Sequence, residues 1–196
     1  MRRLPPVELV PFTEDLLPAV QVWFYDAEVQ RWLGGPDWPA REFDHGREGF
    51  GEEFRGRLVL RSHSWVALDG RGVPVAHIGG EVYDRWCRYR ETPAGPVVDR
   101  IEPGPSLGFA YVVDPGQRLR GYGTSTVLAM IGAAEVADVV VFAAGIEPDN
   151  TASVRCVAAA GFRAQDSEPD WEGIVHHVWR RERTSATSNQ RNQRPA

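Results

Sequence analysis

The stretch with the clearest chemical content runs Val113-Asp114-Pro115-Gly116-Gln117-Arg118-Leu119-Arg120-Gly121-Tyr122-Gly123-Thr124. An apolar strand, Leu107 to Val113, feeds a glycine-bearing loop that opens into a helix. The first turn of such a helix offers unpaired N–H groups and a partial positive charge, and glycines let an anion approach the backbone. One use of that arrangement is a pyrophosphate cradle; the plainer alternative is a tight loop with two turn glycines. Two other nucleotide readings fail on composition. No Gly-Lys-Ser/Thr follows, and Gly121-Tyr122-Gly123 lacks the third glycine of the dinucleotide fingerprint.

Arg118-Leu119-Arg120-Gly121-Tyr122-Gly123 fits the (Gln/Arg)-x-x-Gly-x-(Gly/Ala) motif of the GNAT superfamily of N-acetyltransferases, which the chain resembles. A second match follows at the expected distance: Asn150-Thr151-Ala152-Ser153, with Ala160-Gly161-Phe162 closing the same helix. The resemblance spans about residues 7 to 182. It implies acetyl-CoA as acyl donor, its pyrophosphate on the backbone of Arg118, Leu119, Arg120, Gly121, Tyr122, Gly123 and Thr124. It further implies that pantetheine adds to the strand edge at Val112 and Val113 and meets Asn150 from the other side, with the Val113 N–H as oxyanion donor. The Arg118 and Arg120 side chains read either as phosphate contacts or as solvated loop charges.

Acyl transfer from a thioester to an amine needs a neutral amine, a stabilised oxyanion and a proton for the leaving thiolate. Many GNAT members place a Tyr seven residues after the motif Asn, where this chain has Val157, and others a Glu on the strand before the loop, where it has Gly108. Strand parity supplies replacements: His77, Gly79, Glu81 and Tyr83 share one face of a hairpin strand. Glu81 is the candidate base, against an ordinary solvated carboxylate, and Tyr111 the candidate proton donor, against core packing. The family borders its acceptor with the first two helices and the loop after them, which offers Trp32, Asp37, Trp38 and Phe43. Aromatic rings beside a carboxylate can hold an ammonium group. Trp23, on the apolar helical face, reads as core, and Trp86 and Tyr89 as a lid or as surface packing. Direct transfer to a primary amine of a small molecule or peptide is the expected activity. A non-catalytic acyl-CoA sensor of the same fold is the alternative.

These residues need elements to hold them. Val7 to Phe12 alternates as a strand, and Thr13 is placed to cap a helix with an acidic first turn. Val20, Trp23 and Ala27 recur at helical spacing, and Val29, Trp32 and Leu33 continue into a second helix ended by Gly34-Gly35-Pro36. Residues 34 to 56 show no decisive pattern. Ser64 to Leu68 and Pro74 to Tyr83 form a hairpin around Asp69-Gly70-Arg71-Gly72, and residues 84 to 104 read as a long connection without period. After the glycine loop come a helix from about Gly123 to Val136, a doubly buried strand from Val139 to Phe142, a helix from about Thr151 to Ala160, and strands at Phe162–Glu168 and Gly173–Arg181. The expected fold is α/β, a mixed and mainly antiparallel central sheet flanked by helices, in one domain over 1–182. The polar tail 183–196 reads as disordered.

Composition sets the remaining bounds. The chain has 196 residues, 42% hydrophobic and 25% charged, near the norm for one globular domain. No apolar run is long enough to span a bilayer, and no secretory leader is recognisable, so a cytoplasmic protein without membrane contact is expected. The net charge of −5 disfavours general nucleic-acid binding. Residues 180–196 carry five Arg against one Glu, which makes the body more acidic still and suited to a cationic acceptor. Cys87 and Cys156 lack CxxC partners, so neither a disulfide framework nor a zinc site is supported; Cys156 reads as a small buried residue. His176 and His177 fall on opposite faces of a strand and cannot ligate one metal together, so no metal is expected. A homodimer is allowed.

Overall fold

β-Branched and aromatic residues pair into one mixed sheet in the structure, a computed structural model that describes residues 3–45 and 50–182. Its strands are β1 (Glu8–Pro11), β2 (Glu53–Phe54), β3 (Arg57–Leu68), β4 (Pro74–Arg90), β5 (Val97–Val113), β6 (Val141–Ile146), β7 (Arg163–Ala164) and β8 (Val175–Arg180). They lie in the order β1-β3-β4-β5-β6-β8-β7, with β2 folded onto β3. Every pairing is antiparallel except β5 with β6, which bond only at Ser106–Val141, Leu107–Phe142 and Gly108–Ala143. Beyond Gly108 these two central strands part.

Alternation divides the side chains between two helical layers. Trp65, Ile78, Val82, Leu107 and Phe109 meet Val127, Met130 and Ile131 of α4 (Tyr122–Gly132) and Val157 of α5 (Thr151–Ala159). The opposite face presents Val66 and Val112 to Val20, Trp23, Phe24 and Val29, contributed by α1 (Leu17–Gln21), α2 (Ala27–Leu33) and the 3-10 turn between them. Trp38 and Phe43 of α3 (Trp38–His45) pack on that second cluster. Each fully buried aliphatic or aromatic side chain contributes about 1.5–3 kcal/mol, so these layers dominate the stability of the sheet. Helix α4 is buried almost all round, and its hydroxyls find backbone acceptors: Ser125 Oγ bonds Pro5 O at 2.7 Å and Thr126 Oγ1 bonds Tyr122 O at 2.8 Å. Among the described residues no helix is long and apolar enough to cross a membrane, and no group of three metal-ligating side chains occurs.

Several elements differ from the sequence reading. Residues 84–104 are no loose connection: β4 and β5 continue as a two-stranded ribbon to Arg90 and Val97, with irregular register at Tyr83/Arg85 and Arg88/Tyr89. There Trp86 is buried and donates to Gln165 Oε1 at 3.0 Å, while the Tyr89 hydroxyl donates to Arg55 O at 2.7 Å, so neither is a free lid. Thr13 makes no side-chain cap, because the chain enters through a 3-10 turn, Glu14–Leu16, before α1. Asp26 is the capping residue, its carboxylate accepting from the N–H groups of Glu28 and Val29 and so starting α2. Helix α3 fills part of the undecided segment. Helix α4 stops at Gly132, ahead of a 3-10 turn at Ala134–Val136, and β6 begins two residues later than expected. Only Arg163–Ala164 of the expected strand 162–168 forms. The tail 183–196 lies outside the described residues.

Candidate active site

The parting of β5 from β6 opens a cleft of about 600 Å³, lined by Phe109–Val113, Ala144–Glu147, the loop at Gln117–Thr124, α2 and α5. Backbone parity shows what the β5 side offers. Asp114 N–H bonds Val75 O on β4, whereas Pro105 O accepts from Val140 N–H on the β6 side. Alternate residues of a strand point their N–H and C=O groups to the same side. The Phe109 N–H closes the last rung to β6, so the C=O of Phe109 and both groups of Tyr111 and Val113 face the cleft with no strand to pair. Those of Val112 face His77, its β4 partner. The edge expected at Val112 and Val113 is therefore an edge of Tyr111 and Val113, to which Val112 adds only its place in the wall. Beside the vertex β4 and β5 are pressed together, since a Cβ on Gly80 of β4 would lie 1.9 Å from Gly108 O of β5.

At the far end of the cleft stands the N-terminus of α4. Gly121 caps it in the left-handed region, φ 93°, where a side chain is strained. No side chain caps this end, and the Ser125 N–H to Gly121 O bond opens the helical ladder, leaving the N–H groups of Tyr122, Gly123 and Thr124 without helical acceptors. Gly123 is required for packing rather than for a turn: a Cβ there would lie 2.9 Å from Cys156 Sγ and 3.2 Å from Val113 Cγ2. Arg118 lines the cleft, yet its guanidinium is held by Asp26 at 2.7 Å and Glu28 at 2.8 Å. Its side chain thus ties the loop to α2 and is not a free phosphate contact. Leu119 is 97% exposed with φ 60°, and Arg120 is exposed and absent from the cleft wall.

Helix α5 closes the cleft. Asn150 lines it, but its Oδ1 accepts from Ser153 N–H at 3.1 Å and caps α5, which limits the contact expected of it to its amino group. Tyr111 crosses from β5 to α5, its hydroxyl 3.4 Å from Ser153 O, and burial pushes its phenol well above the ordinary range. Cys156 lines the cleft with Thr124 Oγ1 3.7 Å from its sulfur, and burial raises its thiol as well. Val157 is fully buried in the core, so the neighbouring position, not 157, faces the cleft.

Glu81 lies on the other face of the sheet. Its register partner is Gly108, the last residue of β5 bonded to β6, so it stands at the vertex of the cleft without lining it. The Tyr83 hydroxyl donates to Glu81 Oε2, and burial together with that bond raises the Tyr83 phenol well above its usual value. Tyr83 was visible in the sequence as a face-mate of Glu81, and their contact follows from the two-residue spacing. His77, further along this face, is buried with Nε2 2.8 Å from Ser64 Oγ, and burial lowers it to about 4. Trp38 stacks on Phe24 with centroids 5.1 Å apart and meets His77 edge-on, which makes it a packing residue. Asp37 is exposed, and Trp32 lines the cleft beneath the guanidinium of Arg31, 4.3 Å from its ring centroid. The three residues expected to hold an acceptor together are thus dispersed.

Comparison with known proteins agrees with this geometry. A Bacillus subtilis (strain 168) protein named uncharacterized N-acetyltransferase YfmK is 36% identical over 91 residues, which is 46% of this chain and 60% of that relative. The solved structure of AAC(6')-Ib in complex with ribostamycin and coenzyme A superposes with a TM-score of 0.65 at 20% identity, covering 93% of this chain and 99% of that one. The aminoglycoside N(6')acetyltransferase of Legionella pneumophila matches with a TM-score of 0.57 at 13% identity, over 91% and 92% of the two chains. Residues 7–163 match the family model described as acetyltransferase (GNAT) domain, and with strands that part beside an uncapped helix end, the chain belongs to the GNAT family.

Proposed function

We propose that this protein transfers an acetyl group from acetyl-CoA directly to a primary amine of a small molecule or peptide. The observation that carries the reading is the row of unpaired backbone groups, the C=O of Phe109 and both groups of Tyr111 and Val113, running from the vertex toward the uncapped end of α4. An amide-rich pantetheine arm can add to this edge as a strand would, while the N–H groups of Gly121 to Thr124 receive the pyrophosphate. AAC(6')-Ib, solved with coenzyme A, has the same fold and supports the choice of donor. The acetyl carbonyl belongs at the vertex end, so its oxyanion is assigned to the Tyr111 N–H, two residues nearer Glu81's position than the Val113 N–H favoured by the sequence.

Glu81 and Tyr111 then act from opposite faces of the sheet. Glu81, placed by its pairing with Gly108, accepts the proton of the amine as nitrogen attacks the thioester carbonyl. The Tyr111 phenol, kept protonated by burial, stands on the α5 side as donor to the departing thiolate. No covalent enzyme intermediate is needed.

The test is calorimetric titration with acetyl-CoA, followed by thiol release with polyamine, aminoglycoside, amino-acid and peptide acceptors. Binding and amine-dependent thiol release are expected. Glu81→Gln should lower the rate by about 10²-fold or more at unchanged acetyl-CoA affinity. An unaltered rate and pH profile would remove Glu81 from the mechanism, and binding without release for every amine would favour a sensor.

A further inference from the structure

Arg57 opens β3 on the same face as Glu81 and Tyr83, and is only 9% exposed. Its guanidinium carbon lies 3.9 Å from the Tyr83 ring centroid, 5.8 Å from that of Phe54 and 5.9 Å from that of Trp86. Its Nε is sealed from solvent without a hydrogen-bond partner. Three more exposed arginines nearby reach carboxylates: Arg55 pairs with Glu172, Arg88 with Asp166 and Arg180 with Glu102. Among the described residues Arg57 reaches none. Aromatic faces attract a cation but cannot accept the in-plane N–H bonds of a guanidinium, which match the fork of a carboxylate. The guanidinium of Arg57 thus keeps in-plane donors that its ring contacts leave unused.

We propose that Arg57 binds a carboxylate carried by the amine acceptor, so that the acceptors are amino acids or related compounds with the carboxylate a few bonds from the reacting amine. The inference rests on the reading that the acceptor enters on the Glu81–Tyr83 face. The Tyr83 phenol separates the two charges: Arg57 lies over its ring and Glu81 accepts from its hydroxyl. A zwitterion fits this arrangement, ammonium toward Glu81 and carboxylate toward Arg57. The neighbouring Glu81 also disfavours a more highly charged anion such as a phosphate ester. Sequence alone gave no signal for Arg57, one arginine among 22 basic residues.

The experiment measures binding of amino acids to the CoA-loaded protein by calorimetry, each beside its own amide and its decarboxylated amine, with thiol release from acetyl-CoA as a second readout. At least one acid should bind about tenfold or more tighter than its amide. Arg57→Gln should erase that preference, spare binding of the amides and leave the melting temperature undiminished, because it removes an uncompensated charge. If Arg57→Gln does not fold, Arg57→Lys carries the comparison and should weaken the acids selectively while keeping part of the preference. The proposal is overturned if no acid outbinds its amide, if the preference survives in the variants, or if acids and amides weaken alike. Selective binding of acids without thiol release would fault the transferase reading and leave this one standing.

Discussion

Burial of His77 makes the stability of this protein acid-sensitive by a calculable amount. Its imidazole is buried among Phe12, Trp38 and the sheet, hydrogen-bonded only through Nε2 to Ser64, with Nδ1 sealed and unpaired. Burial alone lowers it from 6.5 to about 4. Because the folded value is depressed, the unfolded chain binds the extra proton first, so stability is complete above about pH 6.5 and falls as pH drops toward 4. At about 1.4 kcal/mol per unit, the gap limits the loss to about 3 kcal/mol, of which about 2 kcal/mol falls between pH 7 and pH 5. For a domain of this length that is a drop of about 4–8 °C in melting temperature. Urea unfolding of the wild type and His77→Gln at both pH values checks it. His63 and His176 are also lowered by burial and titrate in both proteins, so the difference between them isolates His77. Equal losses in the two proteins, within about 0.5 kcal/mol, would refute the argument.

Gly123→Ala should destabilise by about 1–3 kcal/mol, since its methyl meets Cys156 Sγ and Val113 Cγ2. The cost should shrink in a Cys156→Ala background, and strict additivity in a double-mutant cycle would show that the two do not touch. Trp38→Ala should lower stability by about 2 kcal/mol or more through loss of its stack on Phe24 while leaving the amine KM nearly unchanged. A KM rise without a change in melting temperature would restore Trp38 to the acceptor site.

The donor side was legible in the sequence because it is made of backbone. A strand, a glycine loop and a helix start are local, and their spacing carries the geometry with them. The proposed acceptor side was not, because its parts come from β3, β4 and β5, and only the register brings Glu81 opposite Gly108 and Arg57 over Tyr83. The ribbon beyond Tyr83 escaped for another reason. There β4 and β5 pair mainly with each other, the adjacent Trp86 and Cys87 are both buried, and Arg85, Arg88 and Arg90 interrupt the apolar residues, so no period of two shows. Trp32, Asp37 and Trp38 are close in sequence but flank a turn of the chain, which sends them to a cleft wall, to solvent and into the core.

Asp26 Oδ1 is a single atom with two duties. It accepts the first N–H groups of α2, and it also receives Arg118 of the loop before α4. The helix end and the loop are therefore joined at this oxygen, with the Glu28 carboxylate as a second tie to the same arginine. The start of α2, which carries Trp32 into the cleft wall, and the loop before α4 thus share one anchorage, and loss of the Asp26 carboxylate would release both at once.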